Sequence, residues 1–494
     1  MTHRDGPGGP RVRSPERITY RNGRQTAPAD PQAVAREGVG RVPLLLFAIS
    51  VSSGVVLSAH IARGGSLLAV RWRLLAELLA WVVAWVVAVA ATLRVPRRTA
   101  LGLIFVAAVA LRVAAISGPP TTTDDFYRYT WDGRVQTAGI SPYEYTPSSP
   151  ELAHLREPWL WPEERPCPLA YRPDACTRIN RPSVPTIYPP LAEAWFAGIY
   201  RLTGVEARWK PWQVAGLVTD VAVVALLAAA LRRRSRDPRW VALYALCPAP
   251  VLEIVNNGHV DGFALLLAVA ALMAAHERRD VTAGALIGAA ALVKLFPLLL
   301  VLPVVAATTG RRGGSLLRVG GAAVAVVMVG YLPHFLRVGA EVAGFLPGYL
   351  REEHYDGAGR YLVAGALRVP GGMAGFVSVA AMAAAAVWVW QRRPAAPAGA
   401  AVLMGTLLLA TSPVQPWYAV TLLAFAALAA EPIWAAVVVA GYPHFMAVIL
   451  LHPQRVGIGQ LAYGLAALTV AAAFLLRGPP ASGRSMRGCP PNGC

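Results

Sequence analysis

Charge is scarce in this chain and lysine is nearly missing. Only 15% of the 494 residues are charged, against about 25% in a typical soluble domain, which excludes that class. Of 46 basic residues only Lys210 and Lys294 are lysine. With heavy use of Ala, Gly, Val and Arg, that scarcity fits a GC-rich bacterial genome. Cysteine is rare too, with five in all. Cys489 and Cys494 match no metal spacing. Cys167 and Cys176 could pair if their loop faces an oxidising compartment, or stand as two separate thiols. The N-terminus lacks the short basic stretch and early apolar run of a signal peptide, so residues 1–41 read as a disordered cytoplasmic tail, and 477–494 likewise. No internal repeat divides residues 42–476, which read as a single domain.

Hydrophobic residues make up 55% of the chain and the mean hydropathy is +0.46. Apolar segments recur at 42–62, 74–93, 99–117, 212–231, 240–254, 262–275, 282–293 and 297–307. Six more follow at 316–336, 372–390, 398–410, 417–430, 432–451 and 457–476. Several fall short of the ~20 residues that cross a bilayer upright. The net charge of +19 invites a nucleic-acid partner, but its distribution excludes one. The arginines gather in short turns: Arg94/Arg97/Arg98, Arg232/Arg233/Arg234/Arg236, Arg278/Arg279, Arg311/Arg312 and Arg392/Arg393. That is the positive-inside pattern of cytoplasmic loops. With both tails inside, all these clusters fall on the cytoplasmic face and residues 118–211 fall outside, although Arg71 and Arg73 run against the bias. The parity holds if 189–201 is an amphipathic helix in the outer interface and 282–307 turns back at 294–297. The expectation is an all-α polytopic membrane protein: a bundle of roughly 12–14 transmembrane helices in a bacterial cytoplasmic membrane, with a long extracytoplasmic loop.

Its polar stretch, 118–191, holds fourteen of the 41 prolines together with Trp131, Trp159 and Trp161, which excludes a long helix across most of it. A short helix fits 125–135. It starts at Asp124-Asp125, just after an apolar segment, where an acidic pair is costly to keep. Asp125, Arg128, Tyr129 and Asp132 share one face of that helix. They can form an ion-pair ladder that holds the loop, or leave one carboxylate to take a proton from a hydroxyl. Asp124 and Asp125 would also suit a divalent cation. Asn256-Asn257-Gly258-His259-Val260-Asp261 breaks two apolar segments at their outer end. A turn explains Asn-Gly, but not the ionisable Glu253, His259 and Asp261. Lys294 either snorkels or, at the tip of an outward hairpin, offers a point charge to a lipid phosphate. Asp220 within one span could pair with Arg112 in another. His354, Tyr355, Asp356 and Arg360 form an external polar segment, and Gln415-Pro416-Trp417-Tyr418 a second.

These pieces resemble the GT-C superfamily of integral-membrane glycosyltransferases, near glycosyltransferase family 87 and the actinobacterial polyprenyl-phosphate-mannose-dependent mannosyltransferases. The similar elements are Asp124-Asp125-Phe126-Tyr127-Arg128-Tyr129-Thr130-Trp131-Asp132-Gly133, Gly139-Ile140-Ser141-Pro142-Tyr143 and Ile187-Tyr188-Pro189-Pro190-Leu191. Then come Asn257-Gly258-His259-Val260-Asp261, Leu292-Val293-Lys294-Leu295-Phe296-Pro297 and Ser412-Pro413-Val414-Gln415-Pro416-Trp417-Tyr418. The resemblance implies an inverting transfer of a hexose, mannose in the relatives, from a polyprenyl-phosphate sugar to a glycan or glycolipid acceptor in the cell envelope. It implies Asp125 as base, followed by aromatics at Tyr127 and Tyr129, with Asp124 supporting it or a metal. Lys294 would meet the departing phosphate, helped by Arg360 and His259. Asp261, Arg128, Tyr188, His354, Trp417 and Tyr418 would line the substrate. Two spans precede the catalytic loop's own helix where many relatives have none. A lipid-linked-glycan flippase is the rival from another class, and a ligase for preassembled glycans a nearer one. Against the flippase, the ionisable groups gather at one end of the bundle and no paired halves occur.

Overall fold

The apolar runs become helices, and no strand forms among the described residues, since helices satisfy their backbone polar groups internally where water is absent. The computed structural model describes residues 40–64, 67–163, 167, 176–353, 360–451 and 454–476. His354 and nearly all of both expected tails lie outside the described residues. Helix α1 (Arg41–Ala62), α2 (Leu67–Thr92) and α3 (Arg97–Ala115) come first. The polar loop contributes α4 (Asp125–Thr137), two residues longer than expected, and α5 (Pro190–Thr203). After α6 (Lys210–Arg233) come α7 (Asp261–His276), α8 (Asp280–Ala291), α9 (Val301–Ala306) and α10 (Arg312–Val338). The short α11 (Leu346–Glu352) precedes α12 (Gly371–Arg392), α13 (Ala396–Thr411), α14 (Tyr418–Ala429), α15 (Ala435–Ile449) and α16 (Val456–Leu476).

Among the described residues eight helices are long and apolar enough to cross a membrane, or nine if one bent pair counts as a span. The expected 12–14 therefore overcounts full-length crossings. The segment at 240–254 is not one helix: Pro248 and Pro250 divide it into short turns, and after Asn256 the chain bends by 120° into α7. Helices α8 and α14 span only 12 residues each, and α13 has 16. Interrupted helices survive at membrane depth where their broken ends are buried or line a polar cavity. The breaks at 257–260, 292–295 and 412–417 carry the polar motifs.

A shared core holds these breaks against the loop. Phe126 and Tyr129 of α4, Ala192 and Phe196 of α5, Trp212 of α6, Val260 and Ala264 beside and within α7, and Val293 form one buried cluster. The amides of Leu191 and Ala192 donate to the Leu292 carbonyl at 2.9 and 3.2 Å, fixing the entry to α5 on the turn before Lys294. Gly133 lets α4 lie directly on α5: a Cβ there would stand 2.6 Å from the Phe196 carbonyl oxygen. Deeper in the bundle, Arg112 Nε meets Asp220 Oδ2 at 2.5 Å, both side chains fully buried. Arg112 also donates to the Ala245 carbonyl at 2.8 Å, and the Tyr244 hydroxyl donates to Asp220. Asp220 thus joins α3, α6 and the broken segment.

Candidate active site

Two asparagines clamp the start of the loop. Asn256 Oδ1 accepts from the Thr121 amide at 2.9 Å and Asn257 Oδ1 from the Thr122 amide at 3.1 Å. Asn256 Nδ2 returns to the Ala115 carbonyl at 2.8 Å, and Lys210, the other lysine, donates to the Ile116 carbonyl. The chain then enters α4, where the Asp125 amide donates to Thr123 Oγ1 at 3.1 Å. Asn-Gly supplies a turn, as expected, and at Gly258 the turn needs both a positive φ of 69° and the missing Cβ, which would lie 2.8 Å from Trp212 Cβ.

These constraints bring Asp125 to His259, with His259 Nε2 3.7 Å from Asp125 Oδ2. Asn180 Nδ2 donates to Asp125 Oδ1 at 2.7 Å and to Asp124 Oδ1 at 3.1 Å. The Tyr188 hydroxyl reaches Asp125 Oδ2 at 3.5 Å. His259 Nδ1 lies 2.8 Å from the Glu253 carbonyl, an acceptor only, so Nδ1 carries the proton and the neutral ring presents a bare Nε2. Two acceptors, Nε2 and Oδ2, therefore face each other. Trp417 stacks on His259 at 4.2 Å and fixes its plane.

Lys294 stands on the other side of Tyr188. Its Nζ is 3.1 Å from Asp261 Oδ2 and lies over the rings of Tyr418 at 5.1 Å and Tyr188 at 5.8 Å. The Tyr418 hydroxyl meets that of Tyr349 at 3.1 Å. His259 Nε2 and Asp261 Oδ1 are buried without a hydrogen-bond partner among the described residues. Such orphans are costly unless a ligand completes them. Asp125 itself keeps 19% of its side chain exposed. Burial pushes its carboxyl above the usual range, while Lys294, Asn180, Arg181 and Tyr188 pull it part of the way back. The outcome is a carboxylate more basic than an ordinary aspartate. Burial and then the Asp125 charge raise the Tyr188 phenol well above its ordinary value, so it stays a donor.

Other expected site residues are placed differently. Arg128 turns to Asp132, Nε to carboxylate at 2.9 Å, and to the Val184 carbonyl at 3.2 Å. It is 4% exposed, so the Arg128–Asp132 half of the ladder forms without Asp125 and Arg128 holds the loop. Arg360 is paired with Glu353, which also accepts from Gln415 Nε2 at 2.8 Å. Among the described residues no group of three His, Cys, Asp or Glu could hold a metal, and the Asn180 amide donates to both Asp124 and Asp125. Cys167 and Cys176 form a disulfide with Cα atoms 5.7 Å apart.

Asn180, Arg181 and Tyr349 were not legible as site residues. Arg181 Nη2 reaches Glu352 at 2.6 Å and lies over Tyr349 at 5.7 Å. Their contacts join segments 55 to 171 residues apart, and no local spacing marks them.

No curated protein and no solved structure matches the chain. Residues 186–413, from the Thr186-Ile187-Tyr188 turn to the Ser412-Pro413 break, match the model of glycosyltransferase family 87, the family its motifs resemble, and the protein is accordingly a membrane glycosyltransferase.

Proposed function

We propose that the protein transfers a hexose, mannose by the family resemblance, from a polyprenyl-phosphate carrier to a hydroxyl of a cell-envelope glycan or glycolipid. Transfer occurs with inversion on the extracytoplasmic side of a bacterial cytoplasmic membrane. One observation carries this reading: a partly exposed, unusually basic Asp125 shares a site with a bare histidine nitrogen and a lysine at an apolar tip.

The carrier phosphate is already a good leaving group, so two tasks remain. The acceptor hydroxyl gives its proton to Asp125 Oδ2, the oxygen that Asn180 leaves open. Its oxygen forms a bond to the anomeric carbon while the bond from that carbon to the phosphate oxygen breaks, and the electron pair departs with the phosphate. Lys294 offsets the charge growing there, a preorganised electrostatic task. His259 Nε2 and Asp261 Oδ1 accept from substrate hydroxyls, and Tyr188 and Tyr418 flank the sugar. Asp124 supports Asp125 through their shared amide donor. Orientation rests on the basic turns at the other end of the helices and on a disulfide in the loop, a bond that persists in oxidising compartments.

Membranes supplied in parallel with radiolabelled polyprenyl-phosphate-mannose and polyprenyl-phosphate-glucose test this reading. Label should leave the mannose carrier for product, and D125N should slow the release by at least about a hundredfold while inserting normally. Release at the normal rate by D125N removes Asp125 as base; label crossing the bilayer without leaving its carrier would instead identify a flippase. Orientation is read in intact cells, where a membrane-impermeant maleimide should label Cys167 and Cys176 only after reduction.

A further inference from the structure

A sizeable groove lies away from Asp125. Helix α7, sixteen residues long, starts at Asp261 in the candidate site and ends at His276, about 24 Å away at 1.5 Å per residue. At that far end a groove of about 430 Å³ opens between the α7–α8 turn, the α9–α10 turn and the α12–α13 turn. Arg234, Arg278, Arg311 and Arg318 line it, opposed by a single acid, Asp280. Asp280 is taken by Arg318 at 2.8 Å. Arg234, Arg278 and Arg311 have no side-chain hydrogen bond or ion pair among the described residues, so three positive charges face one space without a counter-charge.

Two further features point to an anion. Helix α10, 27 residues long, begins at Arg312 with no side-chain cap, so its first amides are left without side-chain partners, and Arg311 and Ser315 on either side of that first turn line the groove. Ser315, which lines the groove and is 2% exposed, has a hydroxyl with no partner among the described residues. Arg278 holds a left-handed backbone (φ 59°) in the α7–α8 turn, where glycine would be easier. Beside the groove, next in sequence to its lining residues Asp280 and Ser315, Val281 of α8 and Leu316 and Leu317 of α10 are 57%, 48% and 78% exposed. A free phosphate has no use for such an apolar flank, whereas acyl chains do.

We infer that this groove is a binding site for the phosphate of an anionic phospholipid, with the headgroup against Arg234, Arg278, Arg311 and the start of α10, and its chains along Val281, Leu316 and Leu317. Basic pockets between membrane helices take such headgroups by charge and by matched apolar flanks. The site is separate from sugar transfer and does not depend on the proposed donor.

The test is lipid retention by the full-length protein, read by native mass spectrometry after exchange into neutral detergent with added phosphatidylglycerol. The wild type should hold phosphatidylglycerol at least tenfold more tightly than R278Q/R311Q, and S315A should weaken it several-fold. Inorganic phosphate at millimolar concentration should not displace it. The double variant R94Q/R98Q removes equal charge from another basic turn and should bind like wild type. Equal retention by R278Q/R311Q, or an equal loss in R94Q/R98Q, overturns the site. Displacement by inorganic phosphate overturns its assignment to a lipid. An unchanged melting temperature in R278Q/R311Q shows that any loss of lipid is local.

Discussion

Asp125 gains its character from neighbours that pull in opposite directions. Burial raises its proton affinity, while Lys294 and Arg181 limit the rise by favouring the charged form. A base must be ionised to work, so activity falls as pH drops through its pKa. That acid limb should lie above the ordinary aspartate range. R181Q removes a charge that favours the ionised form, so the acid limb of kcat/KM should move to higher pH. E352Q breaks the same Arg181–Glu352 contact but removes a negative charge, so the limb should stay or move to lower pH. Equal upward shifts in both variants would mean that the loop had merely moved. D125N should lower kcat by about 10²–10⁴-fold, the usual contribution of a positioned base, measured with saturating labelled donor.

Among the elements, the contact of α4 with α5 decides where Asp125 points. Gly133 lies against the Phe196 carbonyl, and the Tyr129 ring stacks on Phe196 with centroids 4.3 Å apart. G133A should push the two helices apart and cost about 1–3 kcal/mol, the range for overpacking. A lower melting temperature in detergent and a lower kcat should appear together. A Cβ on Gly198 of α5 would meet no atom within 4 Å, so G198A should leave both unchanged. The short helices obey the same rule of breaks: Pro248, Pro250, Pro297, Pro413 and Pro416 fall where the chain must turn, and the turns hold His259, Lys294 and Trp417.

For the whole molecule, the buried Arg112–Asp220 pair is a link between helices and not part of the chemistry. Removing one partner leaves an unpaired buried charge and typically costs about 3–5 kcal/mol. R112M should therefore lower the yield of folded protein, while R112M/D220L should recover most of it with transfer intact. Recovery of folding without recovery of transfer would assign the pair a part in the reaction. The pair illustrates how far a linear reading reaches: each residue stood out as an ion in an apolar run, but only their meeting across 108 residues showed that they satisfy each other.

The residues alone determined the membrane class, the all-helical fold, the start of α4 at Asp125, a short helix at α5 and the turn at Lys294. All of these follow from local quantities: hydropathy over a window, charge in a turn, and proline or glycine at a break. Tertiary structure decided that, among the described residues, eight helices are long enough to cross a membrane while others are shorter, because a proline interrupts a helix but packing determines whether it continues beyond. It also decided that Arg128 and Arg360 are held by carboxylates, that Asn180 bridges the two acids, and that Asp125, His259 and Lys294 share a site. Hydrogen bonds and charges act over a few ångströms in space, and folding brings those ångströms together across distances in sequence that no spacing records.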